Sequence, residues 1–103
     1  MKPIGTHNYF IYIVTNAKRN VLYTGLTNDL LPRLGEHKQD SESGKKHFAG
    51  KYNCIHLIYW ERFDWIEHAI EREKEIKGWT RIKKEKLIAS TNPDWKFLND
   101  EIE

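Results

Sequence analysis

A chain of 103 residues is sized for one domain, residues 1–103, with a modest core. Its one cysteine, Cys54, excludes an internal disulfide, and no run is long enough to span a bilayer. The first residues lack the apolar segment of a signal peptide, so the expected location is cytoplasmic, away from membranes. Seventeen Lys+Arg against fifteen Asp+Glu leave a net +2, too slight to identify a nucleic-acid partner by charge alone. The aromatic content of 13% and the charged content of 31% do not fit a disordered chain.

Residues 1–8 read as a short frayed lead-in. Residues 9–15 (Tyr-Phe-Ile-Tyr-Ile-Val-Thr) and 21–26 (Val-Leu-Tyr-Thr-Gly-Leu) are dense in β-branched and aromatic residues, with polar turn material at 16–20 between them. That is the pattern of a β-hairpin. Pairing Thr15 with Asn20 sets Val14 opposite Val21, Tyr12 opposite Tyr23 and Phe10 opposite Gly25. Side chains alternate across a strand, so the two phenols then leave the sheet on the same face. Such a pair is either plain packing or a matched set of hydrogen-bonding and proton-transferring groups.

Thr27-Asn28-Asp29 is a helix start, and Leu30, Leu31 and Leu34 supply an apolar stripe. With Asp29 as N-cap, Pro32 falls in the first turn, where a missing N–H costs little. Arg33 and His37, four residues apart, share one face of this helix. Residues 39–47 read as an exposed polar loop with a basic end at Lys45 and Lys46. That end suits either a phosphate backbone or plain solvent.

Residues 54–60 form a third strand, apolar enough to be central or covered on both faces. Cys54 and His56 there read as structural residues. A helix follows over 64–79, with Asp64 and Glu67 in capping-box spacing and Ile66, Ala69, Ile70 and Ile76 on an apolar face. Glu73 falls inside that face, whereas Glu67, Glu71 and Glu75 make a separate polar row. A carboxylate in a core-facing stripe needs compensation. The partner is either a cation, Lys77 at i+4 or Arg33 from the first helix, or a hard divalent metal ion. Thr80 caps a last helix over 81–89. Its Lys83 and Lys84 belong to a solvated or a phosphate-facing run. Turn residues 90–94 then lead to aromatics that can pin the tail to the core.

These residues together resemble the GIY-YIG nuclease superfamily over nearly the whole chain. The first signature block stands as Phe10-Ile11-Tyr12 and the second as Tyr23-Thr24-Gly25. Thr27-Asn28-Asp29-Leu30, Arg33, His37 and Glu73 follow in order. The stretch 73–79 with Lys83-Lys84, Leu87-Ile88 and Asn92-Pro93-Asp94-Trp95 is similar to the small stand-alone bacterial members. The nuclease domain of the bacterial excision-repair excinuclease is a further likeness. The resemblance implies an α+β fold of order β-β-α-β-α-α, a three-stranded antiparallel sheet flanked by helices. It also implies hydrolysis of DNA phosphodiester bonds with one Mg²⁺ or Mn²⁺ ion, in repair or recombination.

Carried over by position, Glu73 holds the metal, Arg33 stabilises charge on the phosphate, and Tyr12 or Tyr23 orients or deprotonates the attacking water. His37 assists Tyr12 or contacts phosphate, and Asn92 is the nearest match to a late asparagine of the family's site. Lys45, Lys46, Lys83 and Lys84 are the expected DNA contacts. A domain with so little net charge should bind DNA weakly and in a salt-dependent way. It would then draw affinity from a protein partner or a homodimer. The alternative is a non-catalytic nucleic-acid-binding module that keeps the fold.

Overall fold

The computed structural model describes residues 8–43 and 52–102. The lead-in before Asn8 and the basic loop end at Lys45 and Lys46 lie outside the described residues. Strands β1 (Tyr9–Thr15) and β2 (Leu22–Thr27) precede helix α1 (Leu30–Ser43). Strand β3 (His56–Phe63), helices α2 (Ile66–Lys77) and α3 (Arg81–Thr91) and a 3-10 turn, Asn99–Glu101, complete the order. The sheet is antiparallel with strand order β2-β1-β3, so the first strand is central.

The hairpin register differs from the sequence expectation by two residues. Thr15 pairs with Leu22, Val14 with Tyr23 and Tyr12 with Gly25. The reason lies in the loop, which runs from Asn16 to Val21. The Asn16 carboxamide oxygen accepts the backbone N–H groups of Asn20 (3.0 Å) and Val21 (3.2 Å), and Arg19 takes a left-handed φ of 60°. The Thr15 hydroxyl donates to the Val21 carbonyl at 2.7 Å, which holds Val21 out of the ladder. A two-residue slip preserves facing, because the side-chain period is two. Tyr12 and Tyr23 therefore still share a face as diagonal neighbours, with ring centroids 6.5 Å apart.

Strand β3 begins at His56, two residues later than expected, and of the two placements its apolar run allows it takes the second: it is an edge strand, covered on both faces over Leu57–Tyr59. Its apolar run is explained by what covers it. Leu98 N–H donates to the Leu57 carbonyl at 2.7 Å, and the Asn99 carboxamide oxygen accepts from Leu57 N–H at 2.9 Å. The tail thus occupies backbone groups that an edge strand otherwise leaves open. Asn92 clamps the same region. Its amide donates to the carbonyls of Ile58 and Lys96, and its oxygen accepts from Lys96 N–H. Phe97 stacks on His56 with centroids 3.9 Å apart, under the Arg19 guanidinium.

Two apolar clusters sandwich the sheet. Ile11, Ile13 and Ile58 meet Ala69, Ile76 and Ile88 on the face covered by α2 and α3. Tyr12, Val14 and Leu57 meet Leu30 and Leu34 of α1 on the other, together with Cys54. Burial raises the Cys54 thiol to about 11, so it is an inert packing group.

Helix α2 is shorter than the sequence suggests, and the capping box does not form. Trp65 occupies the N-cap without a side-chain bond, while Asp64 pairs with Arg62 at 2.7 Å. The charged partner next door holds the carboxylate away from the helix end. Ile70 also leaves the expected apolar face and is exposed, because Ala69 and Ile76 alone reach the core. Helix α3 does start as expected, with the Thr80 hydroxyl accepting from Lys83 N–H at 3.3 Å. Among the described residues no helix is long and apolar enough to cross a membrane.

Candidate active site

The central strand delivers Tyr12 to the α1 face of the sheet, where the phenol is fully buried. Gly25 makes room for it. A Cβ at Gly25 would overlap the Tyr12 hydroxyl oxygen and Cζ and come within 2.8 Å of Cε1. Only a residue without a side chain lets the ring lie across β2 at this pairing. From above, α1 places Arg33 and His37 one turn apart. Arg33 Nε donates to the Tyr12 hydroxyl at 3.1 Å, and that hydroxyl lies 2.8 Å from His37 Nε2. A neutral phenol that accepts from arginine has one proton to give, which directs it at Nε2 and leaves that nitrogen the acceptor. The His37 ring, itself buried, packs edge-on against both Tyr12 and Tyr23, at 5.6 and 5.4 Å between centroids.

Desolvation pushes the Tyr12 phenol up to about 12, and the hydrogen bond and charge of Arg33 only partly offset it. Charge at Tyr23 and at Glu73 also opposes its ionisation, as smaller causes. At Arg33, burial alone would lower the guanidinium pKa. Hydrogen bonds to Tyr12 and Glu36 outweigh that, and the net shift is upward. The cation is permanent, and Arg33 Nη1 lies 2.7 Å from a Glu36 carboxylate oxygen. Glu36 is missed in the sequence, although its i, i+3 spacing from Arg33 is a signal for the pair.

The raised Tyr12 pKa has a stability consequence. The native state holds this proton more tightly than the unfolded chain does. Its contribution, on the order of 2–3 kcal/mol, is intact below pH 10 and is lost as pH rises from 10 to 12. Urea unfolding at several pH values should show this decline, added to the one that Cys54 causes between pH 9 and 11 and to a further one above pH 10 from Tyr59, whose phenol is also raised by burial and by its bond to Glu61. Tyr12→Phe should make the decline between pH 10 and 12 shallower and leave the share that Tyr59 contributes. An unchanged curve would contradict a buried, protonated phenol.

Glu73 comes from the opposite layer, on α2, whose side chains pack against β1 and β2. Because β2 is an edge strand, groups from the two layers can meet around its rim. A cleft of about 460 Å³ lies there, lined by Arg33 and Glu36 of α1, Tyr9, Leu26, Thr27 and Asn28 of the sheet end, and Ile66 of α2. Glu73 stands two turns along from Ile66 on the same side of α2, about 10 Å up the axis. Its side chain is 21% exposed, and its carboxylate meets Lys77 at the long distance of 3.6 Å. The expected burial of this acid in the core is therefore corrected to a position at the core margin. Arg33 is no partner of Glu73, since its Nη1 pairs with Glu36 instead.

Among the described residues no group of three or more His, Cys, Asp or Glu side chains converges as a metal cage. A single accessible carboxylate fits an ion that keeps most of its own waters, as Mg²⁺ does, and does not fit zinc or a calcium loop. Lys83 and Lys84 border no part of the cleft. Lys83 packs its ammonium 4.4 Å over the Trp79 ring. Asn92 also stands apart, since its amide is consumed by the tail clamp.

Residues 8–86 match the family model of the GIY-YIG catalytic domain. The chain is similar to the UPF0213 protein of Natronomonas pharaonis, 38% identical over 80% of this chain and 92% of that one. The UPF0213 protein of Staphylococcus aureus is 36% identical over 79% and 94%. Among solved structures, the solution NMR structure of the UPF0213 protein from Bacillus halodurans superposes with a TM-score of 0.55. It is 25% identical and covers 85% of this chain and 89% of that one.

Proposed function

Since the chain belongs to the GIY-YIG catalytic-domain family, we propose that it is a divalent-metal-dependent DNA endonuclease. The observation that carries this reading is the Arg33–Tyr12–His37 chain of polar contacts beside a cleft that Arg33 and, from α2, Ile66 line. Glu73 is the residue that would hold one Mg²⁺ or Mn²⁺ ion, which when bound stabilises charge on the phosphate and the leaving oxygen. Arg33 binds the phosphate, because a guanidinium offers paired donors to two oxygens. Tyr12 is a post that orients Arg33 and His37; a phenol raised to about 12 is poorly suited to act as a base at neutral pH. Orienting the water then falls to Tyr23, the less buried phenol of the pair. Lys83 and Lys84, with Lys45 and Lys46, supply non-specific attraction to the backbone.

The test is incubation with supercoiled, single-stranded and branched DNA in Mg²⁺ and in chelator. Product in Mg²⁺ alone supports the reading. Binding without product under every condition would favour the non-catalytic module, which the closed state of the phenol and the Glu36–Arg33 pair also suits. A repair or recombination role follows if branched DNA is the preferred substrate.

Glu36 competes with phosphate for Arg33, so Glu36→Gln should tighten DNA binding. An exposed pair is worth up to ~1 kcal/mol, about fivefold in Kd. Fluorescence anisotropy with a labelled oligonucleotide checks this; weaker binding would mean that Glu36 positions Arg33 instead of restraining it.

A further inference from the structure

Trp60 is a large apolar side chain left 42% exposed on the edge strand. Its backbone pairs directly with Tyr12, so the indole rises from the same sheet face, one strand over from the phenol. Phe10, on the same face of β1, meets the indole edge-on at 6.0 Å and 67°. That contact holds the ring from one side and leaves the residue 42% exposed. The indole also forms one wall of a groove of about 600 Å³, whose other wall is the tail around Pro93, Lys96 and Phe97.

The charges in that groove select its occupant. Lys96 is opposed by Asp94 and Glu101, so the groove is no trap for a phosphate. Two carboxylates and an ammonium around a flat apolar wall suit a neutral planar ligand with hydrogen-bonding edges. We propose that Trp60 is a stacking platform for an unpaired nucleobase, holding a DNA strand so that its backbone runs back across β1 toward Arg33. This rests on the nuclease reading for the ligand class, and it adds a preference for DNA whose bases are free to leave the stack. Base–aromatic stacking contributes about 1–3 kcal/mol per base, or roughly 5- to 150-fold in affinity.

Binding measured by anisotropy in chelator separates this inference from cleavage. The probes are a fluorescein-labelled single-stranded oligonucleotide, the same strand carrying one abasic position at each site in turn, and a matched blunt duplex. Trp60→Ala should weaken single-strand binding at least fivefold and leave duplex binding unchanged, while Trp60→Phe should restore most of the loss. One abasic position should cost the wild type affinity and cost Trp60→Ala none. Equal losses on single strand and duplex, no loss in Trp60→Ala, or no DNA binding at all would each overturn the platform. Mg²⁺-dependent cleavage alongside any of these would leave the nuclease reading standing. Thermal melting of Trp60→Phe and Trp60→Ala shows that both fold.

Discussion

Gly25→Ala is expected to cost about 1–3 kcal/mol in stability and to disable the site even where the protein still folds. The added methyl cannot coexist with the Tyr12 ring, whose hydroxyl and Cζ occupy its place. The ring is fully buried between β2, α1 and the sheet, so it has no open space into which to swing. Whatever gives way, the phenol leaves its distances of 3.1 Å to Arg33 and 2.8 Å to His37. Urea denaturation measures the first effect and cleavage of supercoiled DNA the second. Tyr12→Leu in the Gly25→Ala background should recover part of the stability and none of the cleavage. A Gly25→Ala protein as stable and as active as wild type would mean that the close approach has no role.

Glu73→Gln is expected to abolish cleavage, a loss of at least a hundredfold, while leaving stability within about 0.5 kcal/mol. The substitution preserves shape and removes the charge that would hold a cation. The ion pair to Lys77 is long, 3.6 Å, and its ammonium is half exposed, so it contributes little to folding. Chelator should reproduce the loss in the wild type and add nothing in the variant. Large destabilisation together with the loss of activity would instead make Glu73 a structural anchor. Retention of activity would remove it from the chemistry.

Much of this arrangement is legible in the chain because the relevant signals are local. Strand alternation places Tyr12 and Tyr23 on one face regardless of a two-residue slip, and helical spacing places Arg33 with His37. What escapes is set by contacts distant in sequence. The register depends on how Asn16 folds its carboxamide over Asn20 and Val21, and that choice brings Gly25, not Tyr23, opposite Tyr12. The apolar run of β3 reads as central or covered on both faces, and what decides between the two includes a tail some forty residues away, tied by Asn99 to Leu57 and by Asn92 to Ile58. Asp64 has capping spacing but meets Arg62 first. Glu73 stands out as an acid in an apolar stripe, and the stripe proves narrower than its spacing suggests, because Ile70 faces out. Glu36 and Trp60 look ordinary in sequence. They gain meaning only from what lies beside them, Arg33 in one case and Tyr12 in the other.

The proposed chemistry requires that the Glu73 carboxylate and the Tyr12–Arg33–His37 group serve one site, although they come from layers on opposite sides of the sheet. Paramagnetic broadening by Mn²⁺ in the amide NMR spectrum of the labelled protein tests this without any DNA present. Small additions of Mn²⁺ are expected to broaden signals on α2 around Glu73 together with those of Tyr12, Gly25 and Arg33, and Glu73→Gln is expected to remove the effect. Broadening confined to the exposed row of Glu67, Glu71 and Glu75, or left unchanged by Glu73→Gln, would contradict a shared site.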